Sequence, residues 1–548
     1  MQRLKELTEL GLYNEVVQKA LSDLEERNLM ARIWEKDPTV WKPEPEQITN
    51  RLDWLNITEE IRGDIPRFEA LRDALLEAGY TDILLLGMGG SSLAPEVFGK
   101  VFADVAPGLR LQVLDSTEPG AVKAYEEQLD LTRTLFIVAS KSGGTVETLS
   151  FFKHFYNRLV DLMGAEDAGQ HFVAITDPGS HLAALGTELG FREIFLNNPN
   201  IGGRYSVLSY FGMVPAALTG LDVERLLDRA DAMRAACAPD VAPAENPAAW
   251  LGVVMGELAK AGRDKLTLVA SPSILPFGDW TEQLIAESTG KSGMGILPVV
   301  REPLGAPAVY GDDRFFVYLQ LVDEPEVTAA LEALEEGGYT VVRIPLEDRY
   351  DLGAQYFLWE LATAVAGERL DIQPFNQPNV EAAKRQAKRM VKAYKETGIL
   401  PPAEVTPLSS EALQNFVAQG EPGDYVALQA YVQPSEETWE ALQALRLWIR
   451  DETHLATTLG YGPRYLHSTG QLHKGDAGNG LFVQLTSSSD VHVSIPDAPG
   501  ASEASLTFGV LVKAQAQGDY EALREVGRRV IRFEVQGDVA QQITSLVA

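Results

Sequence analysis

Hydrophobic residues in the first half of the chain occur as short continuous runs, and helical periodicity follows each run. The runs predict strands at residues 83–86, 111–114, 135–139, 172–175 and 193–196. Strands that are apolar on both faces and alternate with helices are typical of a parallel sheet that helices cover on two sides. Ligands of such sheets bind beyond the carboxyl ends of the strands, so the candidate chemistry is expected there.

Breaks in this pattern divide the chain into four segments. Residues 1–80 are predicted to form a helical cap, and residues 81–235 a first α/β domain. An Ala/Pro-rich linker leads to a second α/β domain at residues 248–400, with strands predicted at residues 266–270, 315–321 and 339–344. A Pro-rich stretch precedes a C-terminal α/β unit at residues 407–548. Its residues 481–485 and 527–533 weakly repeat strands of the second domain, so this unit is a possible diverged repeat of it.

The composition excludes several function classes. The chain has 548 residues, 45% of them hydrophobic, and its formal net charge of −31 argues against binding to nucleic acid or anionic membranes. Cys237 is the only cysteine, which excludes an intramolecular disulfide and a cysteine-based metal site. The first residues are charged, and no run of about 18 apolar residues occurs in the sequence, so we expect a cytoplasmic protein.

The most informative loop follows the predicted strand at residues 135–139. It reads Ser-Lys-Ser-Gly-Gly-Thr at residues 140–145 and leads into a helix-like stretch. The hydroxyls of Ser140, Ser142 and Thr145, together with free backbone N–H groups at the start of a helix, suit a phosphate group. We therefore expect a phosphorylated ligand.

A second loop of the same kind ends the predicted strand at residues 83–86. It reads Gly-Met-Gly-Gly-Ser-Ser at residues 87–92, so Gly90 and Ser91 would extend the phosphate site. A dinucleotide fingerprint is an alternative, since Asp115 ends the next strand, but it needs glycine at position 92, where the chain has serine. A further alternative is that both loops are only tight strand-to-helix turns.

Two further segments supply candidate residues for catalysis. Arg204 follows two glycines, an arrangement that lets a guanidinium donate to an oxyanion, although a solvated surface turn is the alternative. Gln283 and Glu287 stand four residues apart and share one helix face, so Glu287 is a candidate base, although most helix glutamates are simply solvated. Residues 290–292 read Gly-Lys-Ser, like the end of a nucleotide P-loop. That interpretation is rejected, because the motif requires glycine at position 285, where the chain has isoleucine.

The remaining candidates are basic side chains nearer the C-terminus. A helix is predicted after Pro378, and Lys384 borders its apolar face, so the ammonium can reach a cleft; a solvated basic stripe is the alternative. His467 and His473 lie in a Gly-rich segment, and histidine can transfer protons near neutral pH. No clustered carboxylate or third histidine accompanies the two in the sequence, so no metal site is predicted.

Together these segments resemble the glucose-6-phosphate isomerase (phosphoglucose isomerase) family. The resemblance runs, in the family's order, through residues 87–91, 140–148, 200–206, 287–291 and 376–384. It is closest to the isomerase portion of bifunctional transaldolase/glucose-6-phosphate isomerase proteins, which carry a segment like residues 467–475 near the C-terminus. The resemblance implies an α/β fold: two SIS-type three-layer α/β/α sandwich domains with parallel sheets, an N-terminal helical cap and a C-terminal α/β unit.

The resemblance also implies an activity and a role for each candidate residue. The activity is reversible conversion of D-glucose 6-phosphate to D-fructose 6-phosphate, by ring opening and proton transfer through a cis-enediol(ate), without a cofactor or metal. Glu287 would move the proton between C2 and C1, Arg204 would stabilise the enediolate, and Lys384 would assist ring opening. The substrate would be held by Ser91, Ser140, Ser142, Thr145, the backbone of Gly90, Gln283 and Gln377.

The ring-opening histidine departs from the order seen in many family members. They carry it between the glutamate and lysine segments, whereas this chain has no histidine between Glu287 and Lys384. His467 matches a Leu-His-Ser-x-Gly-Gln motif of bacterial members but follows the lysine. Either the C-terminal unit folds back to deliver His467, or a dimer partner supplies it; His473 is the second choice.

Other activities remain open at this stage. The same residues are compatible with another hexose 6-phosphate, such as mannose 6-phosphate, and a nicotinamide-dependent oxidoreductase is a more distant alternative. A catalytically silent sugar-phosphate-binding regulator would need only the hydroxyl loops, so the presence of Glu287, Arg204 and Lys384 favours an enzyme. The family resemblance implies a homodimer.

Overall fold

The structure is a computed structural model that describes residue 5 and residues 7–324 and 327–547. Three parallel sheets form its framework, each built from one stretch of the chain. The first sheet has the order β2-β1-β3-β4-β5, with β1 (Asp82–Leu86), β2 (Arg110–Leu114), β3 (Thr134–Ala139), β4 (Phe172–Thr176) and β5 (Glu193–Leu196). Its register places Leu84 of β1 between Gln112 and Phe136.

The second and third sheets share one strand order. The second is β7-β6-β8-β9, with β6 (Lys265–Ala270), β7 (Leu297–Val299), β8 (Arg314–Leu321) and β9 (Val341–Leu346). The third is β11-β10-β12-β15, with β10 (Tyr425–Tyr431), β11 (Ala456–Tyr461), β12 (Gly480–Ser487) and β15 (Arg529–Val535). An antiparallel pair, β13 (Ser494–Ile495) and β14 (Leu506–Thr507), lies apart from it. This shared order supports our proposal that the C-terminal α/β unit, the third unit of the chain, diverged from a copy of the second domain.

Helices precede the first sheet and connect the strands of all three. The N-terminal helices are α1 (Asn14–Glu26), α2 (Leu29–Trp34), α3 (Ile57–Arg62) and α4 (Ile65–Glu77). Those of the first α/β region are α5 (Leu93–Val101), α6 (Pro119–Gln128), α7 (Val146–Met163), α8 (Ala165–Ala168), α9 (His181–Glu188), α10 (Tyr210–Leu218) and α11 (Val223–Ala236). The second region has α12 (Pro247–Lys260), α13 (Phe277–Thr289), α14 (Thr328–Glu336), α15 (Leu352–Arg369) and α16 (Val380–Thr397). The third has α17 (Ser410–Val417), α18 (Glu436–Thr453), α19 (Gly470–Gly475), α20 (Phe508–Glu525) and α21 (Val539–Thr544).

The strands predicted from the apolar runs are confirmed, and so is the α/β fold class with parallel sheets. Every residue of β1, β3 and β4 is buried, as expected when helices cover both faces of a parallel sheet. The short strand β7 and the strands β10 and β11 were not predicted. The division into four segments stays a proposal, and the three sheets lie within three of those segments.

The N-terminal helices and the first two sheets share one continuous apolar core. Trp54, which is fully buried, stacks on Tyr205 with a centroid separation of 5.3 Å and lies 6.0 Å from the ring of Phe357 on α15. These rings come from the N-terminal segment and the first and second α/β regions, and each fills space between two of them. Their packing therefore fixes the relative positions of the three parts. The N-terminal helices and the first two sheets therefore form one frame.

The third unit docks onto this frame at several places, two of which involve α20. Phe508 of α20 stacks on Phe151 of α7 at 5.7 Å. Along α16 the approach is so close that a Cβ on Gly518 of α20 would lie 2.7 Å from the backbone nitrogen of Ala387. Glycine is needed there because any side chain would push the two helices apart. No helix in the described part of the chain is long and apolar enough to cross a membrane.

Candidate active site

The loop after β3 forms a polar cradle at the carboxyl end of the first sheet. The hydroxyls of Ser140 and Thr145 lie 2.9 Å apart, and Ser142 Oγ accepts a hydrogen bond from the Gly144 N–H at 3.3 Å. Helix α7 begins directly after Thr145, whose side chain makes no capping hydrogen bond to it. The first N–H groups of the helix therefore remain available to an anion.

The loop after β1 is held against three other segments by its glycines. A Cβ on Gly90 would lie only 2.0 Å from the carbonyl oxygen of Gly203. Gly89 has a φ of +55°, and a Cβ there would lie 2.8 Å from both Gln283 Nε2 and the His467 carbonyl oxygen. Only glycine permits this approach, which brings the arginine segment, helix α13 and the histidine segment to one place.

The dinucleotide alternative for this loop does not fit the geometry. Asp115, which would bind a ribose, instead accepts from Arg464 Nη1 at 3.0 Å and from Ser92 Oγ at 3.4 Å. Ser92, at the position where the fingerprint needs glycine, is fully buried. The acidic group is thus already engaged within the protein.

Arg204 is buried and fixed on all sides. Its Nε donates to Ser288 Oγ at 2.8 Å, and its Nη2 donates to the carbonyl oxygens of Pro374 and Asn376 at 2.5 and 2.9 Å. Its Nη1 lies 3.4 Å from Glu287 Oε2. A guanidinium held by backbone carbonyls cannot swing away, so its positive charge stays beside the Glu287 carboxylate.

Two glutamines flank this ion pair. Gln283 Nε2 donates to Glu287 Oε2 at 3.1 Å and to the His467 carbonyl oxygen at 2.8 Å. Gln377 Oε1 accepts from Arg204 Nη1 at 3.2 Å, and the rest of its side chain is exposed. Both amides therefore border the Arg204–Glu287 pair, and their role in orienting the substrate stays a prediction.

His467 belongs to the third unit of the same chain and reaches the cleft, the place where the Arg204–Glu287 pair and Gln283 lie. Its Nε2 lies 3.1 Å from Glu147 Oε1, near the start of α7. Gln515 of α20 donates to the same oxygen at 2.7 Å and accepts from Thr117 Oγ1 at 2.7 Å. Of the alternatives left open by the sequence, folding back of the C-terminal unit is the one that places His467 here.

Glu147 is a site residue that the sequence reasoning missed. Burial favours its neutral form, but the charge and hydrogen bond of His467 outweigh that effect and hold the pKa of Glu147 below its usual value, with a smaller contribution from Lys384. Glu147 is therefore a carboxylate at neutral pH. The one signal in the sequence was that Glu147 lies inside the segment at residues 140–148, which carries the family resemblance. Only the hydroxyl residues of that segment had been given a role.

His473 lies in a different environment, although it belongs to the same segment. It is 2% exposed and enclosed by aromatic rings, with Phe482 at 5.0 Å and Tyr465 at 5.8 Å. Burial, together with the nearby charges of Lys474 and Arg528, lowers its pKa well below the usual range. A neutral, enclosed imidazole is a packing group, which leaves His467 as the histidine at the cleft.

Two lysines lie near this group of residues. Lys384 is half-exposed, pairs with Glu381 at 3.1 Å, and is close enough to Glu147 to influence its pKa. Lys291 is buried and donates to Asn376, whose carbonyl oxygen also accepts from Arg204. Burial and the Arg204 charge lower the pKa of Lys291 well below its usual value. Lys291 and Arg204 together fix the loop that carries Gln377.

The arrangement supplies the parts of a proton-transfer site. The Arg204 guanidinium lies beside the Glu287 carboxylate, and the His467–Glu147 pair lies next to them. Glu147 belongs to the first turn of α7, and the hydroxyls of Ser140 and Thr145 precede that turn. A continuous series of contacts leads from Glu147 through His467 and Gln283 to Glu287. Such a site can bind a phosphate ester and move protons on the carbon chain next to it.

Comparisons with known proteins agree with this interpretation. The family model described as phosphoglucose isomerase matches residues 73–293. The glucose-6-phosphate isomerase of Thermosynechococcus vestitus is 31% identical over 414 residues, which cover 67% of this chain and 76% of the relative. That of Prochlorococcus marinus is 28% identical over 442 residues, which cover 70% of this chain and 82% of the relative.

Two solved structures have the same fold over most of their length. A glucose-6-phosphate isomerase from Chlamydia trachomatis gives a TM-score of 0.61 at 17% identity, covering 70% of this chain and 87% of that one. A hypothetical protein from Thermus thermophilus gives a TM-score of 0.60 at 24% identity, covering 69% of this chain and 97% of that one. At these identities the likeness establishes the fold, and the sequence relatives establish the kinship: this chain belongs to the phosphoglucose isomerase family.

Proposed function

We propose that this chain interconverts D-glucose 6-phosphate and D-fructose 6-phosphate as an aldose–ketose isomerase. The observation that carries the proposal is the fixed Arg204–Glu287 pair, which lies with Gln283 and His467 beside the loop of Gly89 and Gly90. Family membership and the names of the relatives support the same activity.

Substrate binding begins at the phosphate. The hydroxyls of Ser91, Ser140, Ser142 and Thr145, the backbone of Gly90 and the free N–H groups of α7 donate to its oxygens. Gln283 and Gln377 donate to sugar hydroxyls and set the orientation of the carbon chain. This local set of donors offsets the long-range repulsion of an anion by a chain of net charge −31.

Ring opening requires proton transfer between the anomeric hydroxyl and the ring oxygen. His467 protonates the ring oxygen as the C1–O5 bond breaks, and the anomeric hydroxyl gives its proton to water, so that a C1 aldehyde forms and the imidazole regains its proton from water. Glu147 keeps the imidazole oriented and stabilises its protonated form, as a buried carboxylate does for a catalytic histidine. Lys384 lies close enough to Glu147 to act at the same end of the sugar.

Isomerisation then moves one proton between two carbons. The Glu287 carboxylate takes the proton from C2, and the C2–H electrons form the C1–C2 double bond while O1 becomes an oxyanion. The Arg204 guanidinium neutralises that oxyanion, because its charge is fixed beside the carboxylate. Glu287 returns its proton to C1 while the O2 proton passes to O1, which leaves a C1 hydroxyl and a C2 ketone.

The test is turnover of fructose 6-phosphate by the Glu287→Gln variant in a coupled assay. Loss of a positioned base is expected to cost about two to four decades in turnover. Binding of the sugar phosphate should survive, because the hydroxyl loops are untouched. The matched control is Glu282→Gln on the same helix, whose side chain faces a different cavity and accepts from Ser468.

Two outcomes would separate the parts of this proposal. Undiminished turnover of Glu287→Gln would refute the base assignment while leaving the family membership intact. Absence of isomerase activity in the unaltered chain would refute the activity itself. A homodimer in the cytoplasm, with no nucleic acid or membrane partner, is a further proposal that rests on the family resemblance and the net charge alone, and light scattering tests the dimer.

A further inference from the structure

The third sheet has a cavity of its own at the carboxyl ends of its strands. The cavity has a volume of about 170 Å³, and helix α20 and the segment before α17 contribute its other walls. Its polar lining consists of Tyr431 at the end of β10, Thr486 and Ser487 at the end of β12, Lys513 and Gln517 of α20, and Arg532 and Glu534 of β15. Open parallel sheets bind their ligands at this edge, where the first sheet has its hydroxyl loops.

Arg532 distinguishes this cavity from an ordinary gap. The residue is only 7% exposed, and its Nε and Nη1 are buried with no hydrogen-bond partner among the described residues. A buried guanidinium without a partner is costly, so such groups are normally paired with a carboxylate or with carbonyl oxygens. The Arg532 guanidinium lies 6.0 Å from the centroid of the Tyr520 ring, but these two nitrogens have no acceptor among the described residues.

Other buried arginines of this chain show the usual arrangement. Arg446 donates to the carbonyl oxygens of Val300 and Thr457 and lies near Glu302. Arg464 lines a larger cavity of about 560 Å³, but it already pairs with Glu96 and Asp115. The guanidinium there is paired with two carboxylates, whereas Nε and Nη1 of Arg532 have no hydrogen-bond partner among the described residues.

The polar groups around Arg532 match an oxyanion with several acceptor oxygens. Lys513 is exposed at the rim and adds a second cation, while Glu534 is the one carboxylate in the lining. The Thr486 hydroxyl already donates to the Phe533 carbonyl oxygen at 3.2 Å, which leaves the neighbouring Ser487 hydroxyl to donate to a ligand. Arginine with hydroxyl groups is a common donor set for phosphate.

We propose that this cavity binds a small phosphate-type oxyanion, either inorganic phosphate or the phosphate group of a short ester, at a site separate from the cleft. Its wall helix α20 also carries Gln515, which holds Glu147 at 2.7 Å. An occupied cavity therefore contacts the same helix that orients the His467–Glu147 pair. The proposal does not depend on the isomerase activity.

The test is binding of radiolabelled inorganic phosphate to the full chain by equilibrium dialysis. A Ser140→Ala/Thr145→Val background removes hydroxyl donors of the cleft, and about one phosphate per chain is expected to remain bound. Adding Arg532→Met should weaken that binding about tenfold or more, because charge-assisted hydrogen bonds are lost. The matched control is Arg529→Met on the same strand, whose guanidinium already pairs with Asp424.

A melting experiment separates loss of the site from loss of the fold. Without phosphate, Arg532→Met should melt at a higher temperature than the unaltered chain, because an unpaired buried charge has been removed. Phosphate should then raise the melting temperature of the Ser140→Ala/Thr145→Val chain but not that of the same chain carrying Arg532→Met. Lys513→Ala, at the exposed rim, gives a second variant in which weaker binding is expected in a normally folded chain.

Several results would overturn the proposal. Phosphate binding that is unchanged by Arg532→Met, or equally weakened by Arg529→Met, would place the anion elsewhere. Binding of malonate but not phosphate at Arg532 would identify a carboxylate site instead. A failed isomerase assay would leave these results unaffected, so the two proposals fail independently.

Discussion

His467 and His473 belong to one short segment, yet their side chains lie in two different environments. His467 faces the cleft and pairs with Glu147, which the first α/β region contributes. His473 is enclosed by aromatic side chains of its own unit, with its Nε2 unpaired. The comparison teaches that the role of each histidine is set by which unit supplies its neighbours, and not by its local sequence.

The same contrast holds for the charged groups around the two histidines. In the cleft, charges pair between units: Arg204 with Glu287, and His467 with Glu147. Inside the third unit they pair locally, where Lys474 and the Tyr465 hydroxyl both contact Asp519. Local pairs stabilise one unit, whereas each pair of the cleft joins two units, and the His467–Glu147 pair forms only when the third unit is docked. We infer that the third unit completes the active site.

The largest effect that tests this contrast is expected from replacing each histidine in turn. His467→Ala should reduce turnover of the closed-ring substrate by about two to three decades, because the proton donor for ring opening is lost. His473→Ala should leave turnover of the folded fraction unchanged and destabilise the fold by about 2 kcal/mol, because it creates a buried cavity. Coupled assays and thermal melts of both variants measure this.

The control for this pair is a substrate presented in its open form. His467→Ala should be nearly as active on it as the unaltered chain, because ring opening is bypassed. If His473→Ala lost turnover at full folding while His467→Ala did not, the assignment of the two histidines would have to be reversed.

A smaller loss is expected when the partner of His467 is changed. Glu147→Gln keeps the shape of the side chain but removes the charge that stabilises a protonated imidazole. Turnover should fall by about one to two decades, less than for removal of the imidazole itself. Thr117→Val, which removes only the outer hydrogen bond to Gln515, serves as the conservative comparison.

Stability at low pH checks the same residue independently. The pKa of Glu147 is lowered in the fold, so its contribution to stability is present above the usual glutamate pKa and is lost as the pH falls through the lowered value. The unaltered chain should therefore lose more stability than Glu147→Gln on acidification. Equal losses would show that the carboxylate is not held by His467.

The smallest effect concerns a buried carboxyl group with the opposite shift. Burial, reinforced by the charge of Asp279, raises the pKa of Glu282 to about 8. Because the pKa of Glu282 is higher in the folded chain than in the unfolded chain, its contribution to stability is fully present below the unfolded pKa. That contribution is lost as the pH rises towards 8. Glu282→Gln should therefore raise the melting temperature by a few degrees at pH 9 and less at pH 5. A pH-independent difference would contradict the shift.

Much of the fold was predictable because its signals are local. Continuous apolar runs identify buried parallel strands, and the loops at residues 87–92 and 140–145 stand where such strands end. Gln283 and Glu287 share a helix face by spacing alone, and the structure brings both to Arg204.

What the sequence did not reveal depends on contacts between distant segments. Gln515 and Glu147 are 368 positions apart, and no periodicity connects them. A motif match ranked His467 above His473, but only the docking of the third unit decides which of the two faces the cleft. The sequence also could not show that two nitrogens of the Arg532 guanidinium lack a hydrogen-bond partner, because that depends on which residues the fold packs around the strand.

The central claim is that one chain carries the complete site, with His467 delivered by its own third unit. Mixing Glu287→Gln and His467→Ala chains under conditions that exchange subunits tests it most directly. We predict no recovery of isomerase turnover, because every chain then lacks one essential group. If a partner subunit supplied the histidine, mixed dimers would contain an intact site and roughly a quarter of normal turnover would return; that recovery would contradict the account.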